Sequence, residues 1–299
     1  MPRRNVAAAV GISLLIVALF GLGVALVGTG EATAWLEGKK VGVVELSGTI
    51  EDPLPVLEAL RGFARDSKIA AVVFRVDSPG GGVAASQEIY REILRLKKTK
   101  PVVASLGEVA ASGGLYVASP CTKIVANPGT LTGSIGVITT LPDLSQLLQK
   151  IGVRLQVVKT GRLKATGQID RPLSPEERAM LQNLSREIYD QFVRDLARAR
   201  GIPEVRVRSF ADGGVFSGAR AKELGLVDQL GNYYDAVKLA ARLGGIQGRP
   251  ELVYPEDQEG NWLRRLVKDG ARTLARALAA QLARAPRLQY LYRPGTLRP

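Results

Sequence analysis

The 299-residue sequence contains no histidine and a single cysteine. The first absence excludes a Ser-His-Asp triad, a Cys-His pair and every histidine-containing metal site. The second excludes an intrachain disulfide and a cysteine metal cluster, and Cys121 reads as a small buried residue rather than a reactive thiol. Aromatic residues are scarce at 5%, and no zinc finger, basic zipper or aromatic-rich RNA-binding pattern occurs. Hydrophobic residues at 46% and charged residues at 23% still allow a substantial core, in one large domain or two modest ones.

Acids are in deficit, 28 against 41 Lys and Arg, for a formal net charge of +13. The imbalance is local. From Trp262 to Pro299 nine basic residues meet one acid, Asp269, and Arg3 with Arg4 adds two at the other end. The body is close to balance, which suits contact with anionic lipid, or solubility, better than a nucleic-acid groove. Val6 to Val27 is uncharged and almost wholly apolar, and as a helix it spans about 33 Å, enough for a bilayer. Arg3 and Arg4 precede it and Glu31 is the first charge after it, which orients the amino terminus to the cytoplasm and the rest across the membrane. A cleaved signal peptide ending near Ala32-Thr33-Ala34 is the competing reading, against which the length of the apolar run argues. Leu263, Leu266, Leu274, Leu278 and Leu282 lie among arginines, a basic amphipathic pattern that suits a membrane surface, a partner subunit or a partly ordered extension.

Between these ends, apolar runs at Val41 to Leu46, Ala70 to Val76, Val102 to Leu106, Lys123 to Ala126 and Arg154 to Val158 alternate with helical patterns such as Leu54 to Arg65 and Ala85 to Leu96. That alternation predicts βαβ units, a mainly parallel sheet and an α/β fold. Pro175 to Arg200 predicts a long helix, for the core or for an interface. Two glycine-rich segments follow strands, where ligands collect in such sheets. In Gly107 to Tyr116 the serine Ser112 stands among small residues at a strand-to-helix turn, as a nucleophile would. In Asp77 to Gly82 consecutive glycines leave amides free to face an oxyanion. The lysine and hydroxyl of a phosphate loop are missing there, so no cofactor is implied.

Without histidine, the base for Ser112 is best supplied by a lysine whose pKa is lowered by burial. Reaching neutrality from about 10.4 requires roughly 4–5 kcal/mol of differential desolvation, and therefore a dry pocket. Lys159 and Lys164, in the strand-then-loop segment Val157 to Gly167, fit almost equally by spacing.

Five motifs in order narrow the choice: D-S-P-G-G-G (Asp77 to Gly82), A-A-S-G-G (Ala110 to Gly114), L-T-G-S-I-G-V (Leu131 to Val137), T-G-R-L-K-A (Thr160 to Ala165) and D-G-G-V-F-S-G-A-R-A-K-E-L-G-L-V-D (Asp212 to Asp228). Over Val41 to Leu243 the chain resembles the bacterial signal peptide peptidases of the shorter, single-catalytic-domain type, within the Clp-protease/crotonase superfamily. The resemblance implies a repeated ββα/βαβ core behind one transmembrane helix. It puts the nucleophile on Ser112, the general base on Lys164, an oxyanion donor on the backbone N–H of Gly81 and a lysine-orienting hydroxyl on Ser134. It departs at Thr160 and Ala165, where relatives carry a serine and an acid. It also implies a homo-oligomer with shared active sites, acting on apolar peptides, the remnants of signal peptides, at the bilayer. The expected division is residues 1–30 as cytoplasmic stub and anchor, 31–40 as linker, 41–245 as an extracytoplasmic catalytic domain and 246–299 as a basic extension. An acyl-CoA hydratase on the same fold would need a carboxylate partner for Glu108, and none is evident; a non-catalytic membrane scaffold would need no lysine base.

Overall fold

The computed structural model describes residues 38–255 and 289–291. The expected anchor at Val6 to Val27 and the leucine-arginine pattern at 262–284 lie outside the described residues. Among the described residues no helix is long and apolar enough to cross a membrane.

The valine-rich runs form β1 (Lys40–Ser47), β2 (Ile69–Ser78) and β4 (Val102–Ala111), with the short all-glycine β3 (Gly80–Gly82) after β2, connected through α1 (Leu54–Arg65) and α2 (Val83–Leu96). The chain continues through α3 (Gly113–Ala118), β5 (Lys123–Ala126), β6 (Leu131–Gly133), α4 (Ser145–Lys150), α5 (Pro175–Arg200) and α6 (Glu204–Arg208). It closes with β7 (Val215–Ser217), α7 (Gly218–Glu223), β8 (Gln229–Leu230), α8 (Tyr233–Leu243), β9 (Leu252–Val253) and β10 (Gln289–Leu291). The main sheet runs β7-β6-β4-β2-β1-β9, with β5 branching from β4 and β8 from β5. All its pairings are parallel except β6 with β7. The fold is thus α/β with a mainly parallel sheet, as the alternation of patterns predicts.

Burial on both faces explains why Ile69 to Phe74 of β2 reads as an unbroken apolar run. Val72, Phe74 and Val76 pack with Leu57 and Leu60 of α1 and Ile89 and Ile93 of α2. Ala71 and Val73 point the other way, joining Val41, Val43 and Val103 beneath Ala236, Val237 and Ala240 of α8. Cys121 is 2% exposed within the first of these clusters. Strand β4 has two neighbours in succession: Val103 to Leu106 pairs with β5, and Val109 to Ala111 pairs with β6. That handover brings the end of β4 alongside β6.

Helix α5 begins at a capping box, Ser174 with Glu177, and stops at Gly201 in the left-handed region (φ 64°). Its second half is core, through Ile188, Phe192, Val193 and Leu196. There it receives Tyr116 of α3, edge-on to Phe192 at 5.1 Å between ring centroids and tilted against Tyr90 of α2 at 4.8 Å. The Tyr116 hydroxyl donates to Asp195 Oδ2 at 2.6 Å, and the Tyr90 hydroxyl donates to the Asp195 carbonyl at 3.1 Å.

The strand expected at Arg154 to Val158 does not form; the segment after α4 is irregular. Its pattern is right for a strand, but an isolated strand leaves its backbone groups unpaired, and no described strand lies beside it. Its apolar side chains stay exposed, Val158 completely at 103%.

The phenol clamp gives a direct prediction. Tyr116→Phe keeps the ring contacts but removes the donor to Asp195, and urea unfolding should show a loss of about 1–3 kcal/mol.

Candidate active site

Ser112 is the single residue between β4 and α3, with φ 54° and ψ −118°. Among the described residues only Ser112 and Ser134 combine a side chain with positive φ. Such a conformation costs about 1–3 kcal/mol and persists only where neighbours over-determine it. Here they do. The Ser112 N–H donates to the Gly133 carbonyl at 2.8 Å, and the Ser112 carbonyl accepts from Tyr116 N–H at 2.9 Å, opening α3. Ser134 follows Gly133 at the end of β6 and donates its own N–H to the Gly214 carbonyl at 2.7 Å. Asp212 Oδ1 accepts from Gly214 N–H at 2.9 Å, so the D-G-G turn props Ser134, whose neighbour Gly133 props Ser112. Both serines are buried, at 1% and 8% exposure.

The second glycine segment packs directly against this turn. A Cβ at Gly113 would lie 2.9 Å from Ser86 Oγ and 3.2 Å from both Gly80 Cα and Gly81 N. One at Gly81 would lie 2.2 Å from the Ile50 carbonyl oxygen. Only bare backbone lets three chain segments approach this closely, and the approach sets the Gly81 amide at the foot of the helix that starts beside Ser112. The outer edge of β3 pairs antiparallel with β10, Tyr290 opposite Gly81. The segments expected to hold the nucleophile, the oxyanion donor and the helper hydroxyl are therefore adjacent.

Lys164 is elsewhere. It sits exposed in a turn after the irregular segment, where Thr166 Oγ1 donates to the Leu163 carbonyl at 2.7 Å. With Lys159, Val157, Val158 and Gln168 it lines an open cleft of about 490 Å³ that includes neither Ser112 nor Gly81. Among the described residues no hydrogen bond joins Lys164 to Ser112. The dry surroundings a neutral lysine requires are not closed around Lys164 by one chain. Lys159 is committed locally, donating from Nζ to the Arg162 carbonyl at 2.9 Å.

The turn carrying Lys164 and the helix that follows Ser112 are held at different ends of α5. At its start, Glu177 (2% exposed) takes a two-pronged interaction from Arg171, at 2.6 and 2.8 Å, and accepts from Ser174 N–H at 2.9 Å. Arg171 Nη2 also donates to the Ala165 carbonyl at 3.2 Å, tying the lysine turn to that end. Asp195, which holds α3 through Tyr116, lies 18 residues further along, about 27 Å at 1.5 Å per residue.

Sequence reasoning missed Asp212, Arg171, Glu177 and Asp195. Asp195 alone carried no signal: Asp212 opens a recognised motif, Glu177 is the acid of the S-x-x-E capping box at Ser174, and Arg171 stands just before it. Glu108, exposed on β4, has Asp77 nearby, but Asp77 Oδ1 is occupied by the Val109 N–H at 3.0 Å. Among the described residues there is no cluster fit to hold a metal ion.

A mainly parallel α/β sheet, with a serine in a positive-φ strand-to-helix turn against a glycine strand, is consistent with the Clp-protease-like fold of serine peptidases. More narrowly, the chain belongs to peptidase family S49, whose profile matches residues 94–247, and it is a serine peptidase. A protein of Synechocystis sp. named as a protease is 45% identical over 210 residues, covering 70% of this chain and 76% of the relative. A protein of Enterococcus faecium named as a signal peptide peptidase is 35% identical over 211 residues, covering 69% and 61% respectively. Protease 4 of Salmonella typhi is 40% identical over 200 residues, 67% of this chain but 32% of that longer protein.

Hydrogen bonds from Arg171, the largest influence, hold the Glu177 carboxyl down to about 2. A depressed carboxylate contributes stability above its unfolded value near 4.3 and loses it as pH falls toward 2. Melting temperatures measured from pH 6 to pH 2 should therefore fall more for the wild type than for Glu177→Gln, the two curves converging in acid.

Proposed function

We propose that the protein is a membrane-anchored serine-lysine endopeptidase that degrades signal-peptide remnants after their release. The observation that carries this reading is the buried Ser112 at its strained turn, beside a glycine strand whose outer edge receives an extended antiparallel segment, Gln289–Leu291. An extended peptide taking the place of Gln289–Leu291 on that edge brings its carbonyl toward the serine while main-chain pairing accepts varied side chains. The relative named for signal peptides supports the substrate class, and the apolar run Val6 to Val27 supports attachment to the bilayer that apolar remnants leave.

The lysine comes from a neighbouring copy. The exposed apolar segment Val153 to Val158 offers the surface for such an assembly, and burial there dries the cleft that Lys164 lines. Neutral Lys164 takes the Ser112 proton, the Ser112 oxygen attacks the peptide carbonyl, and the Gly81 N–H receives the developing oxyanion. The lysine ammonium then protonates the leaving amine, and a water deprotonated by the same lysine hydrolyses the acyl-enzyme. The Ser134 hydroxyl holds the lysine nitrogen in line.

Ser112→Ala and Lys164→Ala should each lower cleavage of an apolar peptide by at least about 10³-fold with folding intact. Mixing the two inactive chains should restore part of the activity, because some interfaces then pair an intact serine with an intact lysine. Full activity in either single variant would defeat the dyad; failure of the mixture to recover would defeat the sharing between subunits.

A further inference from the structure

We infer that Arg171 is a positioning residue for the lysine base, acting through the Ala165 carbonyl; the inference rests on the proposed role of Lys164. The turn that carries Lys164 is fixed on both sides. Before the lysine, the Leu163 carbonyl accepts from Thr166 N–H at 3.1 Å and from its hydroxyl at 2.7 Å. After it, the Ala165 carbonyl accepts from the Arg171 guanidinium at 3.2 Å, and Ala165 itself is 8% exposed. These two carbonyls flank the lysine. Its backbone direction is therefore set by a hydroxyl and by a cation.

That cation is itself held. Both Arg171 terminal nitrogens engage Glu177, and Nη1 also donates to the Pro172 carbonyl at 3.1 Å. Glu177 is held in turn by the N-cap of α5, its Oε2 accepting from Ser174 N–H and its own N–H donating to Ser174 Oγ at 3.2 Å. A planar five-donor group can serve a carboxylate and a carbonyl at once; an ammonium in the same place cannot reproduce that fork. The chain of contacts from α5 to Arg171 to Ala165 thus converts a surface turn into one referenced to the longest helix in the described residues. A lysine on a free turn would reach the serine only part of the time, and displacement of a reacting group by about 1 Å can cost about 10²-fold in rate.

The test compares Arg171→Ala, Arg171→Lys and Lys164→Ala in the full chain, with steady-state cleavage of one apolar peptide and thermal melting. Arg171→Ala should lower kcat about tenfold or more while KM stays within about twofold, since peptide binding at β3 is untouched. Methylguanidine at millimolar concentration should recover part of that kcat, and Arg171→Lys should fall between the two. Unchanged kcat in Arg171→Ala, with Lys164→Ala inactive, would overturn the positioning role and leave the dyad standing. A kcat loss that methylguanidine does not relieve and that tracks a lowered melting temperature would equally overturn it, as plain destabilisation. Activity in Lys164→Ala would instead remove the reading beneath.

Discussion

The backbone hydrogen bond from Ser112 N–H to the Gly133 carbonyl is the interaction on which the arrangement depends. It ties the end of β4 to the end of β6 at the point where β4 turns into α3, and so holds a serine in a conformation that side-chain-bearing residues avoid. What surrounds it serves that bond. Asp212 and Gly214 fix Ser134, Thr132 Oγ1 donates to the Ala110 carbonyl at 2.6 Å, and the glycine strand closes over Gly113 without side chains in the way. Strain at one residue is offset by hydrogen bonds at its neighbours, as expected of a pre-organised site.

Helix α5 imposes the second constraint. A straight helix fixes distance: the phenol clamp at Asp195 and the carboxylate at Glu177 are about 27 Å apart along its axis. Helix α3 is attached near one end and the turn carrying Lys164 near the other. In the proposed dyad, the two groups thus belong to segments anchored at different ends of one helix. That division makes sense of a long amphipathic helix whose first half remains only partly covered.

Much of this was legible in the sequence, because the signals concerned are local. The bounds of α1 and α5 follow from apolar spacing and from the capping box, and the position of Ser112 between a strand and a helix follows from its small neighbours. Absent histidine narrows the chemistry through composition alone. Arg154 to Val158 shows where locality fails: its alternation is that of a strand, yet strand formation depends on a partner that the described chain does not supply. The links Tyr116 to Asp195 and Arg75 to Ser105 join residues 79 and 30 positions apart, and nothing in either stretch of sequence points to the other. Positive φ at Ser134 was equally invisible, because serine carries no signature of that conformation.

Cys121 sits in the core with its thiol pushed up to about 12, chiefly by burial. At neutral pH the thiolate fraction is on the order of 10⁻⁵, which leaves the sulfur without nucleophilic character. With that thiol buried, the described fold offers no sulfur for mixed disulfides or sulfenic acid. The thiol–disulfide state of the described fold is therefore the same whether it meets glutathione or a disulfide-forming milieu.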